Sequence, residues 1–400
     1  MLGFLLPKMS SRRLAFLTLA AALPISLLAA QAPAMVSGRR PTPPNLEIRA
    51  IYFTGIMAGS PHGRALARQW RAEGGNAIVF DVKDSDGPIS FNSPLPLASH
   101  LRHPYIHSLP AWVAWLHGHG LYAIARLAVF KDQRLAAAHP ELAVRSRSTG
   151  GVWEERGAPT QWLDPSLPAV QQYDIALAQE AAAAGVDEIQ FDYIRFPVGG
   201  NQRDAQFAYQ ATAPATPRAD FIRDFLRRAQ AALEPTGVHI SIDVYGVTAW
   251  ARPEDLKSTG QDIAQLAPFC DVICPMIYPS HFFGDFDGYK DPGDAPRHFI
   301  QAGMERFDAV TRGSRAVIRP WLQAFAWRTR SFGPNYILTE VATEHEYHGG
   351  GFMLWNAGNV YKAPAIAMPE MMAHKASYFD ASFPYPVQAP AGAPAPAVRR

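Results

Sequence analysis

Eight short apolar runs, separated by helical or polar stretches, constrain this chain more than any other feature of its sequence. They fall at 48–55, 76–84, 122–130, 187–196, 239–246, 271–279, 316–325 and 351–357. Several are almost continuously hydrophobic and rich in β-branched and aromatic residues, the pattern of parallel strands buried on both faces. Between them lie helical candidates at 63–72, 109–119, 169–184, 219–233, 263–267 and 335–345. Gly185 supplies a C-terminal stop for the third. Eight strands alternating with helices over about 310 residues predict a single-domain α/β protein, a (β/α)8 TIM barrel. An open doubly wound sheet is the competing arrangement, but no G-x-G-x-x-G follows the first strand and no P-loop motif occurs.

The flanks have a different character. Lys8, Arg12 and Arg13 precede an uncharged apolar run over 14–30, and Ala30-Gln31-Ala32 follows. This order predicts a signal peptide over 1–32, with Sec and twin-arginine export both open, and a periplasmic or secreted protein. The run is near the lower limit for a membrane span and contains Pro24, so no stable span is expected after cleavage; an uncleaved anchor is the alternative. Residues 33–46 read as a Pro-rich linker, 47–375 as the barrel domain, and 376–400 as a Pro/Ala-rich tail unable to bury a core. The 37 basic residues nearly balance the 35 acidic ones, leaving a net charge of +2 that gives no reason to expect nucleic acid as a partner. Cys270 and Cys274 stand too far apart along one strand for a disulfide and read as structural thiols.

In a barrel of this kind, catalytic groups stand at the C-terminal ends of strands and in the loops after them. Strand two offers Asp81 and Lys83, with Asp84 and Asp86 beyond. Strand three offers Arg126, with Asp132 past its end. Strand four carries Gln190, Asp192 and Arg195; strand five carries Asp243 and Tyr245. Strand six ends with Tyr278 and His281, strand seven holds Arg319, Trp321 and Gln323, and strand eight ends with Trp355 and Asn356. Alternation puts Gln190 and Asp192 on one face of their strand, and Ser241, Asp243 and Tyr245 on one face of theirs. An ionised carboxylate inside an apolar strand costs several kcal/mol unless paired or solvated. Two of them at equivalent depth on neighbouring strands point to chemistry.

Adjacent strands lie about 4.8 Å apart. Carboxyl groups about 5 Å apart suit a retaining glycosidase and about 6.5–9.5 Å an inverting one, and barrel stagger permits either. Asp192 is accordingly the expected nucleophile and Asp243 the expected general acid/base. Arg126, Arg195 and Arg319 are candidates to pair with these carboxylates and hold Asp192 ionised. Tyr245, Tyr278, Trp321 and Trp355 offer flat faces for a sugar platform. The remaining strand-end residues, Asp81, Lys83, Gln190, His281, Gln323 and Asn356, complete the expected substrate contacts. No cofactor and no metal is expected.

Five segments stand in an order that resembles a known family. They are 187–197 (D-E-I-Q-F-D-Y-I-R-F-P), Asp243-Val244-Tyr245-Gly246, Tyr278-Pro279-Ser280-His281, Arg319-Pro320-Trp321-Leu322-Gln323 and Leu354-Trp355-Asn356-Ala357. Together with 78–84 and 125–132 they look like the bacterial Putative glycosyl hydrolase domain family, over residues 47–362. The resemblance implies a barrel hydrolase acting on a polysaccharide. Ile242 departs from the small residue expected before the strand-five Asp, and the loop 247–262 also differs, which bears on substrate choice.

Three rival readings exist. Lys83 at a strand end invites a Schiff-base lyase, although the acids beside it favour its ammonium form over a nucleophilic amine. His345-Glu346-Tyr347-His348 invites a metal hydrolase, but its spacing is not H-E-x-x-H and it precedes strand eight. A non-catalytic carbohydrate-binding barrel would use the same aromatic residues.

Overall fold

The computed structural model describes residues 47–99, 101–155 and 160–380. The expected signal peptide, the linker and residues 381–400 lie outside them. The eight apolar runs form β1 (Ile48–Phe53), β2 (Ala77–Lys83), β3 (Tyr122–Ala128), β4 (Glu188–Asp192), β5 (His239–Tyr245), β6 (Val272–Met276), β7 (Val317–Ile318 and Trp321–Gln323) and β8 (Gly351–Trp355). Each pairs in parallel with its sequence neighbours, and β8 returns to β1, closing the predicted (β/α)8 barrel. The break in β7 is Pro320, which has no N–H to give a ladder. The pairing nonetheless runs on through it: Arg319 N–H donates to the Ile273 carbonyl at 2.9 Å, and the Pro320 carbonyl accepts from Met353 N–H at 3.1 Å.

Strand alternation divides the core in two. Ile51, Phe53, Ile78, Phe80, Ala123 and Ala125 point outward into the layer beneath the helices. Ile48, Ala50, Tyr52, Ala77, Val79, Ile124, Cys274 and Met353 fill the barrel interior. Near the N-terminal ends of the strands the interior holds a fully buried ion pair. Arg319 Nη1 and Nη2 reach Glu188 Oε1 and Oε2 at 3.0 and 3.1 Å. Both cysteines are buried free thiols, as expected.

The surrounding helices are α1 (Pro61–Glu73), α2 (Leu109–Gly118), α3 (Pro168–Ala183), α4 (Arg218–Leu233), α5 (Pro253–Thr259), α6 (Ile263–Leu266), α7 (Pro296–Thr311), α8 (Pro334–Glu346) and α9 (Lys362–Ala373). The six expected from sequence form within two residues of their anticipated ends. Sequence reasoning did not anticipate α5, α7 and α9. Gly303 interrupts the apolar pattern of α7, and its reason is tertiary: a Cβ there would stand 2.6 Å from Ile277 Cδ1 at the end of β6. An internal Pro369 masks α9.

The folded region also runs past the expected boundary at 375. Phe379 is buried with the Arg49 guanidinium 4.5 Å above its ring, and Asp380 N–H donates to Glu47 Oε2 at 2.8 Å. Among the described residues no helix is long and apolar enough to cross a membrane.

Candidate active site

The register of β4 on β5 pairs Gln190 with Ser241 and Phe191 with Ile242. The next step along both strands sets Asp192 beside Asp243, at the depth expected. Directly after Asp192 the chain turns sharply: Tyr193 adopts φ 53° and donates its backbone N–H to Asp192 Oδ1 at 2.6 Å. A left-handed, non-glycine residue costs of order 1–3 kcal/mol. Here it fixes the orientation of the Asp192 carboxylate.

Arg126 organises the acids. Its Nη1 meets Asp81 Oδ1 at 2.5 Å, its Nε reaches Asp192 Oδ2 at 3.1 Å, and its Nη2 bonds the same Asp192 oxygen. The same Nε lies 3.9 Å from Asp243 Oδ2. Burial works against the guanidinium charge, but Asp81 and then Asp192 reverse this and hold its pKa above the ordinary arginine value. Asp243 has different company. Its Oδ1 accepts from Trp321 Nε1 at 2.7 Å, and its Oδ2 is buried without a hydrogen-bond partner among the described residues. Burial, reinforced by the negative charge of Asp192, pushes the Asp243 carboxyl well above the usual carboxylate range, and Arg126 only partly opposes this. Asp243 is therefore biased toward its protonated form, beside an Asp192 held in an ion pair. Behind them, burial raises Asp81 to about 7 against the pull of Arg126, and Tyr52 donates its hydroxyl to Asp81.

A cavity of about 680 Å³ opens over these acids at the C-terminal ends of the strands. Trp355 stacks on Tyr52 with centroids 4.1 Å apart and meets Trp321 edge-on at 5.5 Å. Tyr278 and the Phe282-Phe283 pair extend the aromatic wall, and Phe283 is 67% exposed. Such flat, partly wet faces suit sugar rings. Gly246, the last residue of the Asp243-Val244-Tyr245-Gly246 segment, is required here because a Cβ would stand 2.6 Å from the Met276 carbonyl oxygen.

Of the residues expected from sequence, Asp192, Asp243, Arg126, Arg195, Tyr245, Tyr278, His281, Trp321 and Trp355 line this cavity. The others do not. Asp81 sits behind Arg126. Lys83 is fully buried away from the cavity, bonded to the Ala128 and Val129 carbonyls at 2.6 and 2.9 Å and paired with Asp132 and Asp174 at 3.1 and 3.5 Å. A β-bulge between Asp81 and Lys83 breaks the alternation that would have turned Lys83 inward. This removes the access a Schiff-base lysine needs.

Gln190 is spent deeper in the barrel, 3.4 Å from Cys274 Sγ and 3.3 Å from Met353 Sδ. Arg319 pairs with Glu188, and Arg195 bonds no carboxylate among the described residues, so of the three arginines Arg126 alone takes the expected partner. Gln323 ties down the Ser280 N–H and Phe325 carbonyl, and Asn356 holds the turn after β8 through Ala324 and Gly358. Asp132 caps a short helix through Leu135 N–H. His345 and Glu346 contact the Ala376 carbonyl and Arg297 at the end of α8.

Sequence reasoning missed Tyr52, Tyr193, Arg252, Asp255 and the aromatics of 282–286. The run Phe282-Phe283-Gly284-Asp285-Phe286 carried a signal: adjacent phenylalanines in a Gly/Asp turn after a barrel strand.

Known proteins share this architecture. The PgaB (BpsB) glycoside hydrolase domain of Bordetella bronchiseptica superposes with a TM-score of 0.59 at 14% identity, covering 83% of this chain and 99% of that one. The alpha-galactosidase TtGalA of Thermus thermophilus superposes at 0.51 and 14% identity, covering 83% of this chain and 61% of that one. At these identities the likeness is one of fold alone. A hypothetical protein from Ruminiclostridium thermocellum ATCC 27405 is 32% identical over 48% of this chain and 97% of its own, with a TM-score of 0.44. No curated protein matches the chain. The family model described as Putative glycosyl hydrolase domain matches residues 50–361, from within β1 to beyond the end of β8. The chain therefore belongs to the Putative glycosyl hydrolase domain family.

Proposed function

We propose that this protein is an exported glycoside hydrolase that cleaves glycosidic bonds in a polysaccharide with Asp192 as nucleophile and Asp243 as general acid/base. One observation carries the reading: a carboxylate ion-paired to Arg126 stands beside a buried carboxyl biased toward its protonated form on the adjacent strand, at the floor of an aromatic cleft. The two carboxyls play the two roles that glycoside hydrolysis requires, one anionic and one carrying a proton. Both approach one Arg126 nitrogen, at 3.1 and 3.9 Å, so their nearest oxygens lie no farther apart than about 7 Å. This range favours the short separation of retaining enzymes, roughly 5 Å, over most of the inverting range. In such a cycle Asp243 protonates the leaving oxygen as Asp192 attacks the anomeric carbon; Asp243 then takes a proton from the water that releases the sugar. Arg126 stabilises Asp192 as the departing carboxylate.

A second assignment of the acid is favoured by one observation: Asp243 Oδ2 is sealed, whereas Asp255 on α5 is partly exposed and lines the cavity. Export rests on the basic, apolar and small-residue order of residues 8–32. N-terminal sequencing of the periplasmic or secreted protein should find it starting after that segment, and an intact N-terminus would count against cleavage.

The test of function is the release of new reducing ends from a panel of polysaccharides by the purified protein. Asp192→Asn should abolish release, and cleavage persisting in that variant would overturn the nucleophile. Among single variants, Asp243→Asn and Asp255→Asn separate the two acids: loss confined to one names it. Binding without cleavage by the wild type would establish the carbohydrate-binding reading instead.

A further inference from the structure

The other deeply buried arginines of the barrel interior have carboxylate partners, Arg126 in Asp81 and Asp192 and Arg319 in Glu188. Arg195 has none. It is only 6% exposed and lines the cavity next to Asp192. Its Nη1 donates to the Phe196 carbonyl at 3.0 Å. Aromatic rings cover the guanidinium, with Tyr245 at 4.5 Å, Trp162 at 4.7 Å and Tyr193 at 5.5 Å. No carboxylate of the described residues comes within 4.0 Å of it.

A buried cation without a counter-ion is costly, and ring faces offset only part of that cost. Aromatic packing occupies the faces of the guanidinium and leaves its edge, the fork of N–H groups that recognises planar oxyanions in pairs. The rim has the same polarity: Arg252 lines the cavity over Phe286 and has no carboxylate within 4.0 Å among the described residues. Of the acids lining the cavity, Asp192 is engaged by Arg126 and Asp243 is sealed with one oxygen on Trp321, which leaves Asp255 to set against two cations, Arg195 and Arg252.

We infer that Arg195 binds an oxyanion carried by the substrate, so that this cleft takes an acidic polysaccharide whose sugars bear carboxylate or sulfate groups. The inference rests on the glycan-cleaving reading of the same site, so its test uses binding rather than turnover. Full-length Asp192→Asn protein is titrated by calorimetry with hexagalacturonate, a sulfated chondroitin hexasaccharide and neutral cellohexaose. At least one acidic chain should bind more tightly than the neutral one, and the tighter of the two identifies the anion. Adding Arg195→Gln should weaken that chain by about ten- to hundred-fold and leave cellohexaose unchanged. Arg195→Lys, which keeps the charge and loses the fork, should fall between. Thermal melts show whether each variant is folded, and salt supplies a reading independent of mutation: raising it should weaken acidic-chain binding to the Arg195-containing protein and spare the neutral chain.

Equal affinity for acidic and neutral chains, or acidic binding that survives both Arg195→Gln and high salt, would overturn the inference. Product formation by the Asp192→Asn protein would instead strike the proposed mechanism, with the binding comparison still standing.

Discussion

At Asp243 the two oxygens of one carboxyl are treated differently, and this makes its protonation adjustable. Oδ2 is sealed without a partner, which favours the proton; Oδ1 accepts from Trp321, which favours the anion. Burial is the larger influence, so the group stays protonated well above the usual carboxylate range. In the proposed cycle a protonated Asp243 is needed for the first step, so activity should fall on the alkaline side as this group ionises. Replacing Trp321 with Phe removes a bond that stabilises the anion. The Asp243 pKa should then rise, and the alkaline limb of kcat/KM should move to higher pH. Trp321 also walls the cavity, so the overall rate will drop, but a purely structural loss would lower the whole profile without moving its limb. A limb that stays in place or moves to lower pH would count against Asp243 as the acid. At this scale the sequence was partly legible. Alternation identified Asp192 and Asp243 as inward-facing neighbours. It could not identify Arg126 as the arginine that joins them, because that depends on side-chain reach across three strands.

The element that misled sequence reasoning is β2. Period-two alternation held along β4 and β5, where it placed both acids correctly, and it failed at one step of β2. The bulge after Asp81 lets two residues of β2 oppose one of β3 and turns Lys83 to the outside of the barrel. Nothing in the run Phe80-Asp81-Val82-Lys83 announces this, because Asp81 and Lys83 are both polar and either face would accept a partner. The bulge creates a sealed cluster in which Lys83 pairs with both Asp132 and Asp174 between the barrel and α3. Substituting Lys83 with Met should therefore act on stability rather than on sugar binding. Removing one partner of a buried ion pair costs about 3–5 kcal/mol. Burial already raises Asp174 to about 7, so at acidic pH it can take up a proton and escape that cost. Urea unfolding of Lys83→Met should show a large loss at pH 8 and a smaller one at pH 5. An equal loss at both values would indicate that the cluster acts through packing and not through charge.

For the molecule as a whole, the barrel was legible because eight strands and their intervening helices repeat one pattern, and an error over α7 or α9 does not change the strand count. What the pattern hides is how many acids the closed barrel buries. Glu47, Asp81 and Asp174 are each raised to about 7 by burial, and burial also pushes Asp243, Glu340 and Glu344 well above the usual carboxylate range. In the unfolded chain these groups ionise near pH 4. Below that value both states carry the protons, and no difference arises. Between about pH 4 and the folded-state values, the folded protein retains protons that the unfolded chain has released. Stability must then decrease as pH rises, with a slope of up to about 1.4 kcal/mol per pH unit for each such group. The ion pairs of Asp81 with Arg126 and of Asp174 with Lys83 soften the slope, because they favour the charged forms. The acids without a cationic partner, Glu340 foremost, receive no such relief. The denaturation midpoint of the protein should accordingly be higher at pH 5 than at pH 8, opposite to the behaviour of a protein whose carboxylates are held ionised by surface ion pairs. Midpoints measured in urea across this range check the sign directly. A midpoint that rises with pH would mean that the interior acids ionise inside the fold, and with them Asp243, which would remove the proton that the proposed mechanism requires.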